Sequence, residues 1–341
     1  MNCAVPAALL AFVLFLGSPA VSAPPGPSIP GDLTPGGPYT GRIACLLSDG
    51  DALYAGGWHM GVYRLGAKGR WTAIHAGMTG RRDVLALARA GRTLLAATFQ
   101  GELFARTGGA WRLVHDFGGG RGGRRAVARA VLAEPGAWWV AAGDGVWVSR
   151  DDGKTWSRAW EGKDACALVR APDGSLVFGT LGGGVGSCDR DGAGCAPIAS
   201  FPGGRAIVAL AAAAFPEPGV LVATDRGVYF TPDGRAFAEV GLGEREVYPT
   251  ALGADAAAVA VALDGAGLRV RERARPAAWK PVAFPRRITA VVRHRGAVYF
   301  GTDGLGVFVV RGTSAKALNA GLLNFPESVV DDVLKGTKAE Q

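Results

Sequence analysis

The sequence is short of the side chains that most often carry chemistry. It holds four histidines and five cysteines in 341 residues. No C-x-x-C pair occurs, which removes the usual zinc and dithiol redox motifs. His59, His75, His115 and His294 show no ligand spacing, so neither a metal nor another cofactor is expected. Negative charge is also in short supply: 37 Lys and Arg face 29 Asp and Glu, a formal net charge of +8. Such a balance suits an anionic partner.

Long hydrophobic runs are missing as well. The longest uncharged apolar stretch, residues 4–17, is too short to span a bilayer comfortably. It is followed by Ser18-Pro19-Ala20 and Val21-Ser22-Ala23, small-residue sites of the kind that end a secretory signal. We therefore read 1–23 as a signal peptide, cut after Ala20 or after Ala23, with an uncleaved anchor as the alternative. A secreted or periplasmic chain without stable membrane insertion after cleavage follows. Residues 24–38 are Pro- and Gly-rich and read as a linker. Nucleic acid fits the charge but not the export.

What the chain has in abundance is glycine, 53 residues, placed at turns between short apolar runs. One unit recurs: an apolar run, a glycine turn, then Gly-Val-Tyr or its equivalent. The aligned glycines are Gly61, Gly101, Gly145, Gly184, Gly227, Gly267 and Gly306, separated by 40, 44, 39, 43, 40 and 39 residues. Each copy reads as four strands; in the second they are VLALARA, TLLAATF, GELFAR and AWRLVHDF. A four-stranded unit of this length cannot bury both faces alone, and a ring of such units can. The expected fold is all-β, a seven-bladed β-propeller of four-stranded antiparallel blades over residues 39–335, with a tail at 336–341. An aromatic opens the fourth strand in five copies: Trp71, Trp111, Trp156, Phe237 and Trp279. Copy four has Cys195 there. Cys188 and Cys195 flank a tight polar turn and are expected to form a disulfide, whereas Cys45 and Cys166 lie in apolar runs as buried thiols.

The third copy carries Ser149-Arg150-Asp151-Asp152-Gly153-Lys154-Thr155-Trp156, which reads S-x-D-D-G-x-T-W. This string resembles the Asp box of sialidases, sortilin-type receptors and photosystem assembly factors, all of them β-propellers. The resemblance implies a structural turn on the blade rim built by Ser149, Asp151, Asp152, Gly153, Thr155 and Trp156. Degenerate copies stand at 189–192 and 231–234.

A cation recurs with the blade period just ahead of the first strands: Arg42, Arg82, Arg125, Lys163, Arg205, Arg245 and Arg287, joined by Arg81, Arg121 and Arg124. In a propeller these would ring one mouth of the channel. The turn between strands two and three, on the same face, offers Asp144, Asp225, Asp264 and Asp303 in four copies, so the ring is either open to a ligand or internally paired. Copies one and two offer Trp58 and Phe99 instead. These observations place a binding surface for a protein or anionic ligand at Arg42, Arg81, Arg82, Arg121, Arg124, Arg125, Lys163, Arg205, Arg245 and Arg287 with Trp58 and Phe99.

Asp box, blade count and export together resemble photosystem assembly factors of the Ycf48 type, non-enzymatic propellers with an arginine-rich face. Six ring positions here match that face, and Lys163 departs from it conservatively. The resemblance implies an assembly factor or adaptor. One alternative is a sialidase-like glycoside hydrolase. Its R-I-P-like motif is absent, since Arg42-Ile43-Ala44 and Arg287-Ile288-Thr289 both depart from it. Glu244 and Glu246 are the nearest approach to a carboxylate pair. A third alternative is an extracellular ligand-sensing module.

Overall fold

Short apolar runs rich in Val, Ile and Leu, closed by glycine turns, favour strands because the branched side chains pack on a pleated surface. The computed structural model describes residues 42–80, 82–119, 126–199, 201–202, 206–244 and 246–322. They form seven four-stranded antiparallel sheets, each made of four consecutive strands paired in chain order. The inner strands are Ile43–Asp49, Val84–Ala90, Ala130–Glu134, Ala165–Arg170, Ile207–Ala213, Pro249–Ala254 and Ile288–His294. Each touches the inner strand of both neighbouring blades, and the last closes on the first. The expected seven-bladed propeller is therefore the observed fold. Second strands such as Ala52–Gly57 and Ala258–Leu263 are buried along their whole length. That is why they read as continuous apolar runs rather than alternating ones.

Adjacent blades interlock through size complementarity. A branched side chain near the start of one inner strand fills a notch left by glycine in the preceding blade. A Cβ on Gly301 would come within 2.4 Å of Ile43 Cγ2, and one on Gly179 within 2.5 Å of Ile207 Cγ2. Filling either notch would push the blades apart, since cores have no spare volume. Among the glycines that mark the repeat, Gly145 shows why the residue recurs. Its φ is +140°, and a Cβ there would sit 2.1 Å from the Trp160 carbonyl of the outer strand.

The ring closes without exchange of strands among the described residues. In blade 2, the Trp111 N–H donates to Ala76 O at 2.8 Å and its indole Nε1–H to Ile74 O at 2.6 Å, both on blade 1. Trp71 of blade 1 repeats this across the seam, donating to Ala320 O at 2.7 Å and Leu318 O at 2.6 Å. The tail segment carrying Leu318 and Ala320 thus does for blade 1 what blade 1 does for blade 2. Residues 39–41 and 323–335, expected within the propeller, lie outside the described residues, as do the signal, linker and 336–341.

Candidate functional site

One mouth of the channel is framed by a hydrogen bond that recurs in six blades. The first residue of the turn between strands two and three donates its N–H to the carbonyl of the residue ahead of the inner strand. The pairs are Trp58 to Arg42, Phe99 to Asp83, Leu181 to Asp164, Asp225 to Ala206, Asp264 to Tyr248 and Asp303 to Arg287, at 2.9 to 3.1 Å. These bonds define which residues are equivalent, and they correct the expected ring. Arg42 and Arg287 do stand at the ring position. In blades 2 and 4 the cations Arg82 and Lys163 fall one residue early, and Asp83 and Asp164 hold the position. Ala206 and Tyr248 hold it in blades 5 and 6. A one-residue slip is invisible in a repeat whose period itself varies, yet it turns the side chain elsewhere. Arg81, Arg121, Arg124, Arg125, Arg205 and Arg245 lie outside the described residues.

The mouth divides into two arcs. In blades 5 to 7 the turn begins with Asp225, Asp264 and Asp303. Arg287 Nη1 meets Asp264 Oδ2 at 2.8 Å, joining blades 7 and 6. Arg42 pairs with Asp303 in an isolated antiparallel bridge, joining blades 1 and 7. Burial lowers the Arg42 pKa, and the Asp303 charge works against that loss. Asp144 behaves differently from the expectation that it would meet a ring cation. It accepts from Arg158 at 2.7 Å and from Trp147 Nε1 at 2.9 Å, both within its own blade. Arg158 also lies over the Trp147 ring at 4.6 Å.

In blades 1, 2 and 4 the turn begins with Trp58, Phe99 and Leu181 instead. Trp58 and Phe99 lie with ring centroids 5.0 Å apart. Among the described residues four large apolar side chains are well exposed: Phe99 at 42%, Leu181 at 42%, Tyr248 at 49% and Leu113 at 50%. Three of those four, all but Leu113, belong to this mouth. Beneath the aromatic pair sits Asp83, which is fully buried. Its Oδ1 accepts the His59 N–H at 2.9 Å and lies 2.8 Å from His59 Nδ1, while Oδ2 accepts Gln100 Nε2–H at 2.8 Å. Asp83 thereby ties the turns of two blades together. The sequence reading overlooked it; its signal was an acid following a cation directly ahead of an inner strand, repeated at Lys163-Asp164. No carboxylate pairs with Arg82 or Lys163 among the described residues. Burial, and behind it the charge of Arg82, holds the His75 imidazole below its usual pKa.

The opposite mouth is stitched by ion pairs between adjacent blades: Arg89 with Asp49 at 3.1 Å, Arg293 with Asp255 at 3.0 Å, Arg295 with Asp51 at 2.9 Å, and Arg170 with Glu134. Glu244, one of the two acids considered for hydrolysis, is paired with Arg269, and Glu246 accepts the Tyr248 hydroxyl at 3.3 Å.

The turn of residues 149–156 lies at the blade rim. Ser149 Oγ donates to Asp151 at 2.8 Å and accepts the Gly153 N–H at 2.8 Å. Asp151 also accepts the Thr155 N–H at 2.9 Å and hydroxyl at 2.6 Å, and these bonds hold its pKa down to about 2. Asp152 and Gly153 take φ of 57° and 84°, and the Trp156 indole donates to Gly153 O at 3.2 Å. In blade 5 Thr231 and Asp233 repeat the hydroxyl and carboxylate contacts. In blade 4 Cys188 replaces the hydroxyl residue and Cys195 the aromatic, and a disulfide joins them. Cys45 and Cys166 are free thiols turned into the channel wall, and burial pushes both up to about 12, which removes them as nucleophiles. Among the described residues no group of His, Cys, Asp and Glu is placed to hold a metal ion, and no helix is long and apolar enough to cross a membrane.

No family model and no curated protein matches the chain. Solved structures do. A glycoside hydrolase of family GH74 from Niastella koreensis superposes with a TM-score of 0.67 at 16% identity, over 83% of this chain and 55% of that one. An extracellular domain described as that of a hybrid two component system from B. thetaiotaomicron gives 0.63 at 12%, over 80% and 38%. Ycf48 bound to a D1 peptide gives 0.62 at 13%, over 80% and 93%. The chain thus spans between 38% and 55% of the length of the first two structures. At these identities the likeness is one of fold.

Proposed function

We propose that this chain is an exported, non-catalytic propeller that binds an anionic protein segment at the mouth framed by Arg42, Trp58, Arg82, Phe99 and Lys163, acting as an adaptor or assembly factor. One observation carries the reading: Phe99 and Leu181, two of the four well-exposed large apolar side chains, open the turns of blades 2 and 4 on this mouth, whose cations Arg82 and Lys163 no described carboxylate neutralises. Exposed apolar groups next to unpaired Arg and Lys are the composition of a binding surface. A propeller of similar fold, Ycf48, holds a D1 peptide, which supports a peptide-binding role for the scaffold here. Export rests on residues 1–23, and a disulfide between Cys188 and Cys195 suits an oxidising compartment.

Hydrolysis is the competing reading, since a family GH74 enzyme shares the fold. Against it stands the engagement of Glu244 and Glu246 in other contacts. The deciding experiment is capture from the source's envelope fraction at low and moderate salt, with wild-type chain beside an Arg82→Glu, Arg125→Glu double variant. The expected result is a partner held by the wild type at low salt, weakened at moderate salt and lost by the variant. Equal recovery by both chains, with turnover in a glycoside panel, would overturn the reading in favour of hydrolysis.

A further inference from the structure

The mouth carries more than charge. The Trp58–Phe99 pair is held in place from below by a group that has no other evident duty. Asp83 is a buried carboxylate, and a buried charge is tolerated only when its oxygens are fully engaged. Here both oxygens are, and the donors come from two different turns. His59 is held at a φ of 58°, a conformation a side chain of this kind adopts at some cost. The same carboxylate accepts its backbone N–H and lies 2.8 Å from its ring Nδ1. The outcome of this arrangement is that Trp58, partly buried, and Phe99, 42% exposed, lie ring against ring at the mouth. Leaving Phe99 42% exposed gains nothing for folding, because only apolar area removed from water contributes.

Resting on the mouth-binding reading above, we infer that the bound segment is anchored by one large apolar side chain, aromatic or branched aliphatic, seated on Trp58 and Phe99 and flanked by acidic residues, with Asp83 as the positioning residue of that seat. Charge complementarity selects the flanking residues. Both oxygens of Asp83 are engaged internally by donors of His59 and Gln100 and the carboxylate is buried, so what the seat shows a ligand is apolar surface, with Arg82 next to Asp83 in the chain. A purely anionic polymer would satisfy Arg82 and leave the aromatic pair wet. An apolar segment without acids would leave Arg82 unmatched. A seat already in its binding geometry also lowers the ordering cost of association. The apolar contact therefore dominates affinity, while the cations govern approach.

The test uses a random peptide library displayed on phage, selected against the immobilised full chain. The best peptide is then synthesised and titrated by calorimetry. Selected peptides are expected to share one large apolar residue between Asp or Glu. Replacing that residue with glycine weakens binding by about tenfold or more, and Phe99→Ala does the same. On Phe99→Ala the glycine peptide loses little further, the coupling expected of two groups in contact and not of a general structural role. Asp83→Asn lowers this coupling while the loss on Arg82→Glu persists. Acidic peptides with no shared apolar residue, or losses that simply add, overturn the apolar anchor while sensitivity to Arg82→Glu keeps the mouth as the site. Peptides that bind the Arg82→Glu and Phe99→Ala chains as well as wild type, or no enrichment at all, overturn both. If Asp83→Asn fails to fold, the Phe99→Ala and glycine-peptide cycle decides alone.

Discussion

Two arcs of one mouth, built from the same turn in the same repeat, have been put to opposite uses. From blade 5 to blade 7 the turn opens with Asp; Arg287 of the following blade pairs with Asp264, and Asp303 meets Arg42 through a backbone bridge with its charge acting on that arginine. In blades 1, 2 and 4 it opens with Trp58, Phe99 and Leu181, and in blade 2 an acid, Asp83, lies buried just ahead of the inner strand. A carboxylate on the turn closes the arc by pairing across blades. A carboxylate under the turn leaves the surface apolar and the neighbouring cation unspent. The difference teaches that the repeat supplies a position, and that the residue placed there decides whether the position ties blades together or stays apolar and exposed.

That contrast can be attacked directly. The largest effect belongs to Asp83→Ala, which removes a buried carboxylate and leaves the part-buried donors of His59 and Gln100 without their acceptor. A loss of about 2–3 kcal/mol in stability is expected from denaturant midpoints. An unmoved midpoint would mean that the apolar arc is not held from below. Asp264→Ala attacks the other arc and should do far less, under about 1 kcal/mol, because the side chains of Arg287 and Asp264 are 29% and 44% exposed and water screens the pair. A loss as large as that of Asp83→Ala would erase the distinction between the arcs.

The smallest effect is electrostatic. His75 has a lowered pKa, owed first to burial and then to Arg82. The unfolded chain therefore takes up that proton first as pH falls. The stability this histidine contributes is whole above the unfolded value of about 6.5 and declines below it. It stops declining once pH passes beneath the folded value. Arg82→Ala removes only the second cause, so the NMR titration midpoint of His75 should rise and still remain below the value of an unfolded histidine. No movement would show that the Arg82 charge is already neutralised, and the apolar arc would lose its unpaired cation.

Much of the architecture was legible before any coordinates. Seven glycines and five aromatics at a period near 40 residues implied seven blades, because a turn that crowds its own outer strand admits no Cβ, as at Gly145, and an indole such as Trp111 is needed to bridge blades. The notches at Gly179 and Gly301 were legible in principle too, each paired with an isoleucine that opens the next inner strand. The site was less so. Arg82 and Arg42 stand 40 residues apart and look equivalent, yet the hydrogen-bond frame matches Arg42 with Asp83. The inter-blade ion pairs of the opposite mouth, such as Arg293 with Asp255, were not foreseen, because their partners come from different repeats and share no local motif.

The amino-acid order was sufficient for the fold, since strand length, turn chemistry and the glycine period are local and every copy repeats them. It was also sufficient to mark blades 1 and 2 as unusual, where Trp58 and Phe99 stand in place of acids. Which charges are spent and which are free was settled only in three dimensions. Pairing depends on angstrom-scale contacts between blades, and a single-residue offset that leaves the spacing almost unchanged sends Asp83 under the surface and leaves Arg82 beside an open aromatic seat.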